Sequence, residues 1–238
     1  MDSNRQTTFH FKHFSLANER SGMKIGTDGV VLGSWTRLPN KGNILDVGTG
    51  TGLVALMAAQ RSGCHIVGVE IDDVAAQEAR MNVESSPWRD RVDIVNDDFV
   101  NFASSTSLRF NLIVSNPPYF YTGLKAAASR GVARHGGALN YESLISLGSK
   151  LLTDDGEMSI IAPCDEFDNI CYYSTLARLN LIESLNIVTR ANRQPLRVIC
   201  RLSRIYAPFS TDTLTINDEE GNFTDEYKAL TSDFYLNF

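Results

Sequence analysis

The 238-residue sequence lacks any apolar run approaching the ~18 residues of a membrane span, and Met1 to Thr8 is polar, without the apolar core of a secretory signal. A cytoplasmic location is the expectation. Cysteine is scarce: Cys64, Cys164, Cys171 and Cys200 form no CxxC pair and do not group with the four histidines. That excludes a disulfide framework and a zinc-type ligand set, so reduced thiols and no metal are expected. There is no internal repeat and no low-complexity linker, so residues 1–238 are read as a single domain, a lid-like extension over 1–42 followed by a core over 43–238. The net charge of -6 argues against indiscriminate polyanion binding, although it leaves room for a local basic patch. Nothing in the composition calls for an obligate protein partner.

What is present begins with Asn116-Pro117-Pro118-Tyr119, preceded by the run Phe110-Asn111-Leu112-Ile113-Val114-Ser115. Proline cannot donate to a ladder, so an apolar run ending in a proline pair reads as a buried strand that stops abruptly. The carboxyl edge of such a strand is where open α/β sheets bind ligands. A planar amine could donate its hydrogens to the Asn116 side-chain oxygen and the Pro117 carbonyl while its ring stacks on Tyr119. The bland alternative is a Pro-terminated loop, with Asn116 capping a turn and Tyr119 capping the core.

Along the chain, Phe9 to Phe14 alternates aromatic and polar residues, as a short half-buried strand does. A turn-rich piece, Lys24 to Gly29, leads into an apolar stretch from Val30 to Trp35. Strands are expected at 43–47, 66–70, 91–96, 110–115, 157–162, 182–189 and 196–206, and helices at 53–59, 71–84, 141–152 and 166–179. Strand–helix alternation calls for a doubly wound, mostly parallel α/β sheet of seven strands. The turn around Asn192-Arg193-Gln194-Pro195 makes the last two an antiparallel edge hairpin, and the N-terminal extension is read as strand and turn.

The first sheet strand runs into Asp46-Val47-Gly48-Thr49-Gly50-Thr51-Gly52. Glycines there permit a tight turn and close approach of backbone to a ligand, and the following helix offers free N–H groups. The spacing is not the G-x-G-x-x-G that a dinucleotide pyrophosphate needs. Glu70, 18 residues past Gly52 at the end of the next strand, suits ribose hydroxyls.

The loop resembles motif I of class I S-adenosylmethionine-dependent methyltransferases, and Asn-Pro-Pro-Tyr resembles the signature of those that methylate amino nitrogens. The resemblance implies that S-adenosyl-L-methionine is the cofactor, held by Asp46, Gly48, Gly50, Gly52, Glu70, Asp98 (with Asp97 as rival), Phe99 and Asn116. It implies Asn116, Pro117 and Tyr119 as the catalytic set. Lys24-Ile25-Gly26-Thr27-Asp28-Gly29, Leu32-Gly33-Ser34-Trp35, Ser86-Pro87-Trp88 and the closing Tyr227-Lys228-Ala229-Leu230-Thr231 and Phe234-Tyr235-Leu236 look like the bacterial tRNA1(Val) adenine-N6 methyltransferase family. By that likeness Lys24 and Thr27 join the cofactor set, and the substrate is adenosine 37 in the anticodon loop of a tRNA. Glutamine methyltransferases of release factors share the four residues but carry a separate helical N-terminal domain. A DNA adenine methyltransferase would bring an inserted target-recognition region. A non-catalytic nucleotide-binding module is the alternative from another class.

Charge is unevenly spread: Arg178 to Arg204 holds six arginines and one acid, a local +5, while Ile205 to Phe238 carries -6. Arg197 and Arg201, with Arg130, Arg134 and His135 of the long loop after Tyr119, are the expected tRNA contacts, and Pro118 borders the base. A solvated charged face is the alternative.

Overall fold

The computed structural model describes residues 8–18, 25–118 and 139–237. The central sheet grows from four parallel strands, of which three are apolar on both faces, as parallel strands covered by helices must be, while the remaining one lies at the edge and exposes Asp93 and Asn96. They are β3 (Asn43–Val47), β4 (His65–Glu70), β5 (Val92–Asn96) and β6 (Phe110–Ser115). Ile44, Leu45, Ile66, Ile113 and their neighbours are almost fully buried in two clusters, one on each face of the sheet. Beyond β6 come β7 (Leu152–Pro163), β8 (Asn180–Arg190), β9 (Arg197–Ser203) and β10 (Ser210–Asn217). The spatial order is β10-β8-β9-β7-β6-β3-β4-β5, with β9 antiparallel to both of its neighbours.

The sheet thus has eight strands where the sequence suggested seven, and the β8–β9 hairpin is not its edge. β10 pairs in parallel with β8 and takes that place. Its first four residues, Ser-Thr-Asp-Thr, are exposed, so only its second half shows the alternation that marks a half-buried strand.

Helices cover both faces. They are α1 (Thr27–Trp35), α2 (Leu53–Arg61), α3 (Asp73–Glu84), α4 (Phe99–Ser105), α5 (Tyr141–Leu151), α6 (Phe167–Leu176) and α7 (Asp225–Thr231). Side-chain caps start several of them, each satisfying an orphan amide. Asp72 accepts from Ala75, Asp98 from Val100, Asn140 from Ser143 and Thr224 from Tyr227. α1 replaces the turn and apolar stretch read from the sequence. Val30, Val31 and Leu32 are buried on all sides of it, so it shows none of the polar face by which a surface helix announces itself. Its glycines face α2: a Cβ on Gly29 would stand 2.9 Å from Leu53 Cδ2, and one on Gly33 2.6 Å from Met57 Sδ.

At the N-terminal side, β1 (Thr8–His10) and β2 (Ser15–Ala17) form a separate two-stranded antiparallel sheet. The strand expected over 9–14 stops at His10, because the chain turns at Phe11, whose amide donates to the Phe14 carbonyl at 2.9 Å. Phe11 then bridges to Tyr235 and Lys12 N–H donates to the Phe234 carbonyl, 2.8 Å, so the hairpin is pinned by the far end of the chain.

Candidate active site

Four parallel strands in register bring their carboxyl ends to one edge. Val47 is opposite both Val69 and Ser115, and Glu70 is opposite Asn96. The glycine loop, Glu70, the Asp97-Asp98 pair and Asn116 therefore lie along a single sheet edge, although they come from four separate stretches of sequence.

The loop after β3 is folded back on β4, with the Gly48 and Thr49 amides donating to the Val69 carbonyl at 2.9 and 3.1 Å. Gly48, Gly50 and Gly52 all have positive φ, 72°, 57° and 87°, a region that favours glycine. Around Gly48 and Gly50 a Cβ would meet nothing within 4 Å, so the backbone faces open space there. Gly52 instead packs toward Ala79, 3.6 Å from where its Cβ would stand. A ligand can thus approach the loop backbone at the first two glycines and not at the third.

Glu70 is 8 % exposed and bonded at both oxygens, accepting from Gly50 N–H at 2.8 Å and from Asp72 N–H at 2.9 Å. It joins the loop to the start of α3. Asp46 is turned toward the loop itself. Its Oδ2 accepts from Thr49 Oγ1 at 2.7 Å and from the Ala55 amide at 3.0 Å. Burial pushes the Asp46 carboxyl up from 3.8 to about 7, against the lowering effect of those two hydrogen bonds and with a further rise from the charge of Glu70.

Of the two acids after β5, Asp98 gives one oxygen to the α4 cap at 2.7 Å, and Asp97 accepts from the Asp98 amide at 2.8 Å. Phe99, 5 % exposed, packs into the core beneath α4. Both acids remain partly open at the edge.

Ser115, just before the motif, donates to the Val47 carbonyl at 2.8 Å and locks the end of β6 to β3. Asn116 is half-buried, with its Nδ2 beside Gly29 of α1. Thr27, at the exposed start of α1, is two residues from that contact. Pro117 and Pro118 form one wall of a cleft of about 700 Å³, whose other walls include Tyr141, Pro163, Tyr173 and Arg197. Burial and the neighbouring Glu166 charge raise the Tyr141 phenol, so its hydroxyl keeps its proton.

The two arginines expected at RNA differ. Arg197 lines the cleft, where its Nε donates to Asp28 of α1 at 3.0 Å. Arg201 does not reach the cleft. It is held between Glu157, bidentate at 2.7 Å, and Glu183, also at 2.7 Å, with only 13 % of its side chain exposed. Its charge is satisfied within the sheet by those two glutamates. Lys24, Tyr119, Arg130, Arg134 and His135 lie outside the described residues. Tyr141 and Tyr173 line the cleft, and Asp28 holds Arg197 there, without any local signal in the sequence beyond the Asn140 cap that starts α5.

The arrangement is that of a class I methyltransferase, and similarity to known proteins agrees. Residues 26–167 match the model of the methyltransferase small domain family. A predicted O-methyltransferase from Agrobacterium tumefaciens superimposes with a TM-score of 0.68 at 18 % identity, over 87 % of this chain and 96 % of that one. Two relatives are nearer in sequence, both called tRNA1(Val) (adenine(37)-N6)-methyltransferase. One, from Phocaeicola vulgatus, is 40 % identical over 96 % of this chain and 97 % of its own length. The other, from Pectobacterium carotovorum, is 37 % identical over 98 % and 95 %. The chain belongs to the tRNA1(Val) (adenine(37)-N6)-methyltransferase family.

Proposed function

We propose that this enzyme transfers a methyl group from S-adenosylmethionine to the N6 amino group of adenosine 37 in tRNA1(Val), acting in the cytoplasm. The observation that carries the reading is the edge on which the open glycine loop, Glu70 and Asn116-Pro117-Pro118 stand together beside an aromatic-walled cleft. Near-full-length likeness to relatives of that name supports the substrate. Gly48, Gly50, Glu70 and the Asp97-Asp98 pair would hold the cofactor, which supplies an already activated methyl group.

The chain's own part is positioning. The adenine amine is a poor nucleophile because its lone pair is delocalised into the ring. Acceptance of its two hydrogens by the Asn116 side chain and the Pro117 carbonyl favours a pyramidal nitrogen aimed at the methyl group. Tyr119 stacks on a base turned out of the anticodon loop. No strong base is required, since the methylated nitrogen sheds its proton readily.

Single-turnover methylation of tRNA, measured alongside tRNA and S-adenosylhomocysteine binding, tests the assignment. Asn116→Ala should bind both ligands and lose turnover by about 10²–10³-fold. Tyr119→Ala should lose about 1–3 kcal/mol of tRNA affinity, and Tyr119→Phe should keep most activity. Wild-type turnover in Asn116→Ala refutes the catalytic role.

A further inference from the structure

We infer that Asn82 is a positioning residue for cofactor binding, tying the N-terminal hairpin and the glycine loop into one unit. The inference rests on the glycine loop being the cofactor holder. Asn82 lies on the buried face of α3, 4 % exposed, and uses its whole amide. Its Oδ1 accepts from the Ala17 amide at 2.8 Å, and its Nδ2 donates to the Ala17 carbonyl at 3.0 Å. Those are the two bonds a neighbouring strand residue would make, so the side chain serves as a strand partner at the end of β2. The same Nδ2 donates to the Thr51 carbonyl at 2.9 Å, between Gly50 and Gly52.

Three residues earlier on the same helix face, Ala79 packs against Gly52. α3 thus fixes the last turn of the loop twice, once by contact and once by hydrogen bond. An amide is suited to the task because it offers one acceptor and two donors on a short stem. The orientation of the amide follows from its partners: an N–H must face Oδ1, and two carbonyls must face Nδ2. Removing the donors leaves two carbonyls at a site with almost no water, which is costly enough to let both the hairpin and the loop shift. Glu70 accepts from Gly50 on one side of the loop and Asn82 donates to Thr51 on the other, so the loop is held from both sides.

Asn82→Asp keeps the shape and the acceptor while losing the double donor. The KM for S-adenosylmethionine and the dissociation constant for S-adenosylhomocysteine should rise about tenfold. At saturating cofactor, kcat should stay within about twofold and the KM for tRNA should hold. A purely structural role lowers the melting temperature without that split. Hydrogen exchange of the unaltered chain provides a measurement that needs no variant. Saturating S-adenosylhomocysteine should slow exchange in peptides over 47–52 and also over 14–18. Native cofactor affinity in Asn82→Asp, or a protected loop beside an unaffected hairpin, overturns the inference. No protection of the loop at all overturns instead the placement of the cofactor there.

Discussion

Gly50 and Asp46 separate what the loop does for a ligand from what it does for the fold. Gly50 has φ +57° and open space beyond it, so a methyl group there meets no protein atom. Gly50→Ala should therefore cost about 1–2 kcal/mol of backbone strain yet abolish the thermal stabilisation by S-adenosylhomocysteine, as differential scanning fluorimetry would show. Asp46 predicts a pH effect. Its carboxyl sits at about 7 in the fold against 3.8 as its ordinary value, so the folded state binds the extra proton between those limits. Stability from this group is greatest below the lower value and is lost as pH rises through the upper one. The unfolding free energy from urea titrations between pH 4 and 8 should fall by up to about 1.4 kcal/mol per pH unit within the window, and Asp46→Asn should flatten that fall.

Elements differ in how plainly the sequence announces them, for physical reasons. β4 and β6 were legible because strands covered on both faces are continuous apolar runs, and α3 because Asp72 caps it and its buried residues recur along one face. α1 was not, since it is apolar all round and carries two glycines where a helix former would be expected. Those glycines belong to the α1–α2 contact, which no local pattern reveals. Gly33→Val should force Met57 aside and lower the unfolding free energy measured in urea by about 1–3 kcal/mol, overriding the gain in helix propensity. The site was legible in its motifs, because a glycine run and a proline pair punctuate strand ends. The partners of Arg201 were not, because Glu157 and Glu183 are 44 and 18 residues away and meet it only through strand pairing. A local sum of charge counted Arg201 and Glu183 but could not count Glu157, which lies outside the segment.

Across the whole molecule, the +5 segment is therefore less basic than its sequence, since Arg197 faces Asp28 and Arg201 faces two glutamates. Arg201→Ala leaves Glu157 and Glu183 facing each other across β9, with Arg37 still paired to Glu183 at 2.9 Å. Stability should fall by roughly 2–4 kcal/mol in urea titrations, while the salt slope of tRNA binding stays as it was. The pinning of the N-terminal hairpin by Phe234 and Tyr235 has a consequence in time. Lys12 donates through Nζ to the Ser232 carbonyl, 220 residues later in the chain, at 2.7 Å. At ribosomal rates those 220 residues take roughly ten to forty seconds to make. During that interval Asn82 can already hold Ala17 at the end of β2, but Phe11 and Lys12 lack their partners, so the turn of the hairpin is secured only once residues 232–235 have been made.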